Sequence, residues 1–199
     1  MIKINERNNS KPYDYFESLY KKALEAKQKN IEAIAISSYS PKTQELSSRF
    51  VNLKYIIDDE WIFFSNYQSP KALDFESHKN VSGLFFWQNI NTQIRIKARI
   101  KKTNSSFSDQ HFKTRTKEKN ALACSSNQSM QIDSYDKVIE NYDKVMNSGV
   151  SVEERPNFWG GYSFTPYYFE FWEGHNSRLN KREVYEKVDE SWSHFILQP

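Results

Sequence analysis

One cysteine, Cys124, stands in 199 residues, so no intrachain disulfide can form and a reducing compartment is expected. Glycine is nearly as scarce. The five present include no glycine-rich strand-to-helix turn, which argues against a doubly wound nucleotide-binding fold. The four histidines, His78, His111, His175 and His194, are scattered with no pair at ligand spacing, and no metal site is expected. Cys124 has no partner motif and no GxSxG turn occurs, so the chain offers no recognisable nucleophile. No apolar run is long and uncharged enough to cross a bilayer, and the N-terminal MIKINERNNSKPYDYF holds no signal-peptide core; a soluble cytoplasmic protein is expected. An excess of one charge is missing too. With 28 basic and 25 acidic residues the net charge is +3, too mild to imply nucleic acid as a partner. If the protein is an enzyme, a bound cofactor must carry the difficult chemistry.

What is abundant is aromatic surface, 16% of residues, so the core is expected to be built from large rings. Residues 1–11 are polar and asparagine-rich and are expected as a flexible tail, with a single domain over 12–199. Asp14, with Glu17 three residues on, is read as the cap of a helix whose stripe is Phe16, Leu19, Tyr20, Ala23 and Leu24. Strands are expected at 34–39, 46–55 and 61–65, in close enough succession for an antiparallel meander. Ser69-Pro70 starts a helix towards His78. Strands return at 81–87 and 92–101; in the second, Ile94, Ile96, Ala98 and Ile100 alternate with basic residues. A helix is read over 105–117, followed by a loop with a short helical piece to Gln131. Ser134 then caps a helix with a Tyr135, Val138, Ile139, Tyr142, Val145, Met146 stripe that stops at Gly149. Four strands follow, at 159–164, 167–172, 183–188 and 192–197. Seven or eight short strands and three or four helices, without βαβ alternation, give an α+β fold whose best architecture is an antiparallel β-barrel with helices packed outside it.

Four stretches could carry chemistry. The block FWGGYSFTPYYFEFWEGHNSRLNKR at 158–182 combines tryptophans, a glycine pair and the arginines Arg178 and Arg182. Those residues suit a planar anionic ligand, and equally a hairpin with aromatic core residues and solvated arginines. RFVNLK at 49–54 puts Arg49, Val51 and Leu53 on one strand face and Lys54 on the other. It is either a rigid anion contact or ordinary surface charge. Ser65, Asn66, Ser69 and Lys71 surround a helix start whose amides favour phosphate, although Ser-Pro is also a common start. The basic face Arg95, Lys97, Arg99 and Lys101 has no interleaved aromatic residue and reads as a solvated outer face in preference to a nucleic-acid site.

Taken in order, RFVNLK (49–54), FFSN (63–66), SPK (69–71), FFW (85–87), QIRI (93–96), QS (128–129), FWGGY (158–162), EFW (170–172) and RLNKR (178–182) make the chain resemble the pyridoxine/pyridoxamine 5'-phosphate oxidase family from about Ile34 to Pro199. The resemblance implies an FMN-binding split β-barrel working as a homodimer with the flavin site at the interface. It implies Arg49, Lys71 and Ser65 as FMN phosphate contacts, with Phe64 beside them and the strand Arg49, Phe50, Val51, Asn52, Leu53, Lys54 lying along the flavin. Gln93, Gln128, Ser129, Trp172 and Arg182 match further flavin positions, some across the dimer interface. For substrate it implies Lys54, His111, Arg115 and Lys119 near the phosphate, and Arg178, Leu179 and Asn180 at the ring, with Arg178 and Asn180 positioning the substrate for reaction. The implied activity is oxidation of pyridoxamine or pyridoxine 5'-phosphate to pyridoxal 5'-phosphate, with hydride passing to flavin N5 and O2 reoxidising the flavin to give H2O2. Trp159 and Gly160-Gly161 are read as architectural.

Departures from the family pattern are specific. Pro70 stands where arginine is usual, which removes one FMN phosphate cation. His111 replaces tyrosine and Lys119 replaces serine, changes that keep polarity and could add charge. Asn180 replaces the histidine of RLH; it can hydrogen-bond but cannot become a cation. They leave two other readings open: a related flavoenzyme with another substrate, of the phenazine-pathway or flavin-reductase type, or a non-catalytic FMN or pyridoxal phosphate binder.

Overall fold

Alternation of buried and exposed residues builds the centre of the molecule. A computed structural model describes residues 1–148 and 152–199, the Arg7 side chain excepted. Among the described residues, ten strands form one sheet and five α-helices accompany it. The strands are β1 (Lys3–Arg7), β2 (Ala33–Ser40), β3 (Glu45–Asn52), β4 (Tyr55–Asp58), β5 (Glu60–Asn66), β6 (Asn80–Trp87), β7 (Thr92–Lys102), β8 (Trp159–Glu173), β9 (Lys181–Val188) and β10 (Ser191–Ile196). The helices are α1 (Lys11–Glu25), α2 (Pro70–Ser77), α3 (Ser105–Lys113), α4 (Lys117–Ser125) and α5 (Tyr135–Asn147). On β7 the alternation expected from sequence is present: Ile94, Ile96, Ala98 and Ile100 are buried and the basic residues between them face outward. The core is aromatic, with Phe16, Trp61, Phe63, Phe85, Trp87, Phe164, Phe169 and Phe171 packed together.

The strand order is β1-β4-β5-β8-β7-β6-β2-β3, with β9 on β8 and β10 on β9. The expected meander of the first strands is therefore not formed. β3 pairs only with β2 at one end of the order, whereas β5 pairs with β4 and β8 towards the other. Curvature brings β3 alongside β5 without pairing, and this unpaired seam makes the structure a split barrel. The strand expected at 46–55 ends at Asn52. Leu53 and Lys54 bridge to β4, because Leu53 drops into the core and its amide donates to the Glu32 carbonyl (2.8 Å).

Several other elements differ from the reading of the sequence. The N-terminal segment is not a free tail: β1 pairs in parallel with β4, Ile2 is buried, and the Ile2 amide donates to the Tyr20 hydroxyl (2.9 Å). Helix α1 begins after Ser10 with Pro12 in its first turn, not at Asp14, and Leu24 lies at the exposed margin of its stripe. The helix expected over 105–117 ends at Lys113 as α3, and α4 is the short helical piece expected in the stretch that follows. Two strands expected after Pro156 are one, β8, because a bulge opposite Lys97 and Ala98 absorbs the segment at Pro166, whose missing amide would otherwise interrupt the ladder. The Ser134 side chain caps α5 by accepting from Lys137 N (3.2 Å), but the α5 stripe is not buried within this chain. Gly149, read as its stop, lies outside the described residues.

Gly160 and Gly161 are explained by close approach. A Cβ on Gly160 would lie 2.1 Å from the Tyr67 hydroxyl, and one on Gly161 2.6 Å from Thr103 Oγ1.

Candidate active site

The seam between β3 and β5 opens into a cleft of about 760 Å³. Its walls come from β3 (Arg49 to Asn52) and Lys54, from Phe64 and Ser65 at the end of β5, and from Pro70 and Lys71 at the start of α2. The lining is completed by His111, Arg115, Lys119, Gln128, Ser129 and Trp159. Residues read as two ligand sets from sequence, Arg49, Ser65, Lys71, Gln128 and Ser129 on one hand and Lys54, His111, Arg115 and Lys119 on the other, thus share one cavity. Leu53 is the exception in this stretch: its side chain is fully buried in the core.

The cations fall into two groups. In the first, Arg49 Nη1 donates to Ser38 Oγ (2.7 Å) and to the Ile36 carbonyl (3.3 Å), while Ser38 Oγ donates to Asp74 (2.7 Å). Lys71 is only 6% exposed, and its sole hydrogen-bond partner among the described residues is Ser69 Oγ (3.0 Å). Burial first, and the neighbouring Arg49 second, lower the Lys71 ammonium to about 8. A buried ammonium facing a guanidinium with no carboxylate of its own is a costly arrangement that an anion would relieve. Gln128 is drawn to the same corner, its Oε1 accepting from Ser65 Oγ (3.2 Å) and from Asn66 N (3.1 Å). Helix amides contribute less than the Ser-Pro start suggests, since the Ala72 and Leu73 amides already donate to the Ser69 carbonyl.

The second group surrounds His111. Its ring stacks on Phe64 at 3.7 Å with 9° between planes, and Trp159 lies parallel to Phe64 at 5.3 Å. Tyr55 shares a hydrogen bond with His111 Nδ1 (2.9 Å). Burial, then Arg115, Lys54 and Lys3, push His111 down to about 4, so the ring is neutral at pH 7 and adds no charge to the site. The charge comes from Lys54, held by Glu32 at 3.5 Å, and from Arg115, whose guanidinium lies 4.2 Å over the Trp159 ring. Arg115 Nη2 donates to the Lys119 carbonyl (2.6 Å), but its buried Nε has no partner among the described residues. Trp159, read from sequence as packing alone, is a wall of this cleft.

The remaining candidates lie elsewhere. Gln93, Trp172 and Arg182 sit side by side across β7, β8 and β9, and Arg178, Leu179 and Asn180 form the exposed turn before β9; none lines the cleft. Arg178 has a left-handed backbone (φ 60°), and Asn180 Oδ1 accepts from His175 N (3.0 Å), so the asparagine side chain is engaged in its own turn.

Residues 159–199 match the family model described as the pyridoxine 5'-phosphate oxidase C-terminal dimerisation region. The pyridoxine/pyridoxamine 5'-phosphate oxidase of Leptospira interrogans is 30% identical over 196 residues, covering 98% of this chain and 91% of the relative. The chain belongs to the pyridoxine/pyridoxamine 5'-phosphate oxidase family. Enzymes of this oxidase family are FMN-dependent. Its member from Burkholderia lata is 32% identical to the chain over 191 residues, covering 94% of the chain and 89% of the relative. Among solved structures, PhzG from Burkholderia lata 383, in complex with tetrahydrophenazine-1-carboxylic acid, superposes with a TM-score of 0.89 at 25% identity, covering 96% of this chain and 93% of that one. An FMN-binding protein from Nostoc punctiforme related to the oxidase family has a TM-score of 0.78 at 11% identity, with 96% and 99% covered, and shares the fold.

Proposed function

We propose that the protein is an FMN-dependent oxidase that converts pyridoxamine or pyridoxine 5'-phosphate to pyridoxal 5'-phosphate. The observation that carries the reading is the pair of cation groups in one cleft, Arg49 with Lys71 and Lys54 with Arg115, each suited to a phosphate. The donor chemistry fits FMN: a buried ammonium without a carboxylate, a fixed guanidinium, the Ser65 hydroxyl and the Gln128 amide would hold its phosphate. FMN, when bound, supplies a two-electron acceptor that O2 can reoxidise to give H2O2.

The chain's own residues then bind and orient. β3 from Arg49 to Asn52 presents the seam edge to the flavin, with the backbone at Leu53 continuing it, and Ser129 and Phe64 close its sides. Lys54 and Arg115 hold the substrate phosphate, with Lys119 adding charge and neutral His111 offering a hydrogen bond without repelling them. Gln93, Trp172 and Arg182, with Arg178, Leu179 and Asn180, would complete the site from a second copy of the chain. The match to a dimerisation region supports a homodimer with the flavin at its interface. Among the described residues no helix is long and apolar enough to cross a membrane, and the single half-buried Cys124 fits a reducing cytoplasm. The test is to purify the protein, identify its chromophore and assay O2-dependent formation of pyridoxal 5'-phosphate. A flavin-loaded preparation that forms none from either substrate sinks the reading.

Lys71 gives this reading a pH signature. Near pH 8 and above the free ammonium loses its proton, whereas a bound phosphate keeps it charged, so binding takes up a proton. The dissociation constant for FMN is expected to rise above pH 8, by up to about tenfold per pH unit. Titration by flavin fluorescence checks this, and a flat profile contradicts the role of Lys71.

A second reading, oxidation of a different planar anion, is favoured by the PhzG superposition and by Asn180, engaged in its turn where the family usually has histidine. Against it, identity to the Burkholderia lata oxidase by sequence comparison is 32%, while that to PhzG of the same species by superposition is 25%. Asn180→His separates the two. A histidine Nδ1 can still accept from His175 N, and kcat/KM for pyridoxamine 5'-phosphate is expected to rise about tenfold, the worth of one charged hydrogen bond. No gain would favour the other substrate.

A further inference from the structure

We propose that Glu170 is the positioning residue of Arg182, fixing the guanidinium in the one orientation in which it can meet the flavin. The proposal rests on the reading of Arg182 as a flavin contact. Glu170 stands on β8 between Phe169 and Phe171, whose rings enter the core, so its carboxylate lies on the outer face of the sheet. It is nevertheless only 1% exposed.

A buried carboxylate needs its lone pairs filled, and here they are filled by two arginines. Oε1 accepts from both Nε (2.9 Å) and Nη2 (2.7 Å) of Arg182. Oε2 accepts from Arg95 Nη1 (2.8 Å) and from the Tyr168 hydroxyl (3.2 Å). Arg95 is directly opposite Glu170 in the ladder, while Arg182 is opposite Trp172 and reaches back diagonally to the carboxylate. The Gln198 carbonyl takes Arg182 Nη1 (2.9 Å) from the other side. A guanidinium has five N–H donors. Three are thus committed within the chain, and the plane of the fork is fixed before any ligand arrives. Arg95 serves a different purpose: it fills the second oxygen and leaves both bonds of Arg182 in place.

The test is a double-mutant cycle on FMN affinity, with melting temperature followed in parallel. Arg182→Gln and Glu170→Gln are each expected to raise the FMN dissociation constant about tenfold, and the double variant no further. Arg95→Gln, which leaves both Arg182 bonds in place, is expected to stay within about twofold of the parent in FMN affinity while lowering the melting temperature. If Arg182→Gln leaves FMN affinity unchanged, the reading of Arg182 as a flavin contact falls, and the proposal with it. If Arg182→Gln weakens FMN but Glu170→Gln does not, or weakens it equally when Gln already stands at 182, only the positioning role is overturned. Should Glu170→Gln fail to fold, Arg182→Lys probes the same geometry. Lysine keeps the charge but loses the fork, so tenfold weaker FMN binding supports the proposal and unchanged binding overturns it.

Discussion

Lys71→Met is expected to weaken FMN binding about a hundredfold and to raise the melting temperature of the flavin-free protein. The two effects have one cause. Held at about 8 instead of 10.5, the ammonium costs the folded chain of the order of 3 kcal/mol at neutral pH. The sign follows from the direction of the shift. The folded pKa is depressed, so the cost is fully present below pH 8 and disappears as pH rises towards the unfolded value. Methionine fills similar space in this buried position without a charge and relieves the repulsion from Arg49. The flavin-free melting temperature should rise by about 5 °C at pH 7, less at pH 9.5. With FMN present the order reverses, because the phosphate then loses a buried, charge-assisted donor that water cannot replace. Calorimetry of both proteins with and without FMN checks the crossing. A variant that melts lower without flavin and binds it normally would make Lys71 a structural residue.

The distribution of what could be read from sequence follows from where the information lies. β7 was legible because one face meets the core and the other meets water, so the pattern is local. The grouping of Arg49, Ser65 and Lys71 in one cleft has a similar basis: these residues stand close together in the chain, and the fold closes β3 and β5 around them. Strand partners are not local. Nothing in LSSRFVN says that β3 pairs with β2 and leaves its other edge to the seam, and nothing in KINER says that it lies beside β4. The two strands expected at 159–164 and 167–172 are continuous because a bulge absorbs the missing ladder amide of Pro166 within one long strand. Glu170 did leave a signal in FEFW, where strand alternation places a carboxylate opposite two core phenylalanines. Its arginine partners on β7 and β9 become visible only in the ladder.

Arg115 carries the other large effect, and it distinguishes the two cation groups. Arg115→Gln is expected to lower kcat/KM for pyridoxamine 5'-phosphate about a hundredfold while leaving the FMN dissociation constant within about twofold. The guanidinium lies over the Trp159 ring, one nitrogen is committed to the Lys119 carbonyl, the buried Nε has no partner among the described residues, and burial lowers the pKa of the group from its ordinary value. Such a group gains most from an anion that completes its hydrogen bonds, and glutamine supplies neither the charge nor the fork. His111 cannot compensate, because burial first, and the cations Arg115, Lys54 and Lys3 second, keep its ring neutral. If the role is phosphate binding, the penalty should fall mainly on KM and should largely vanish with a substrate that lacks the phosphate. An equal loss for phosphorylated and unphosphorylated substrates would place Arg115 in the support of the Trp159 wall instead. Lysine at this position should recover little, since it restores the charge but neither the stacking on Trp159 nor the paired donors.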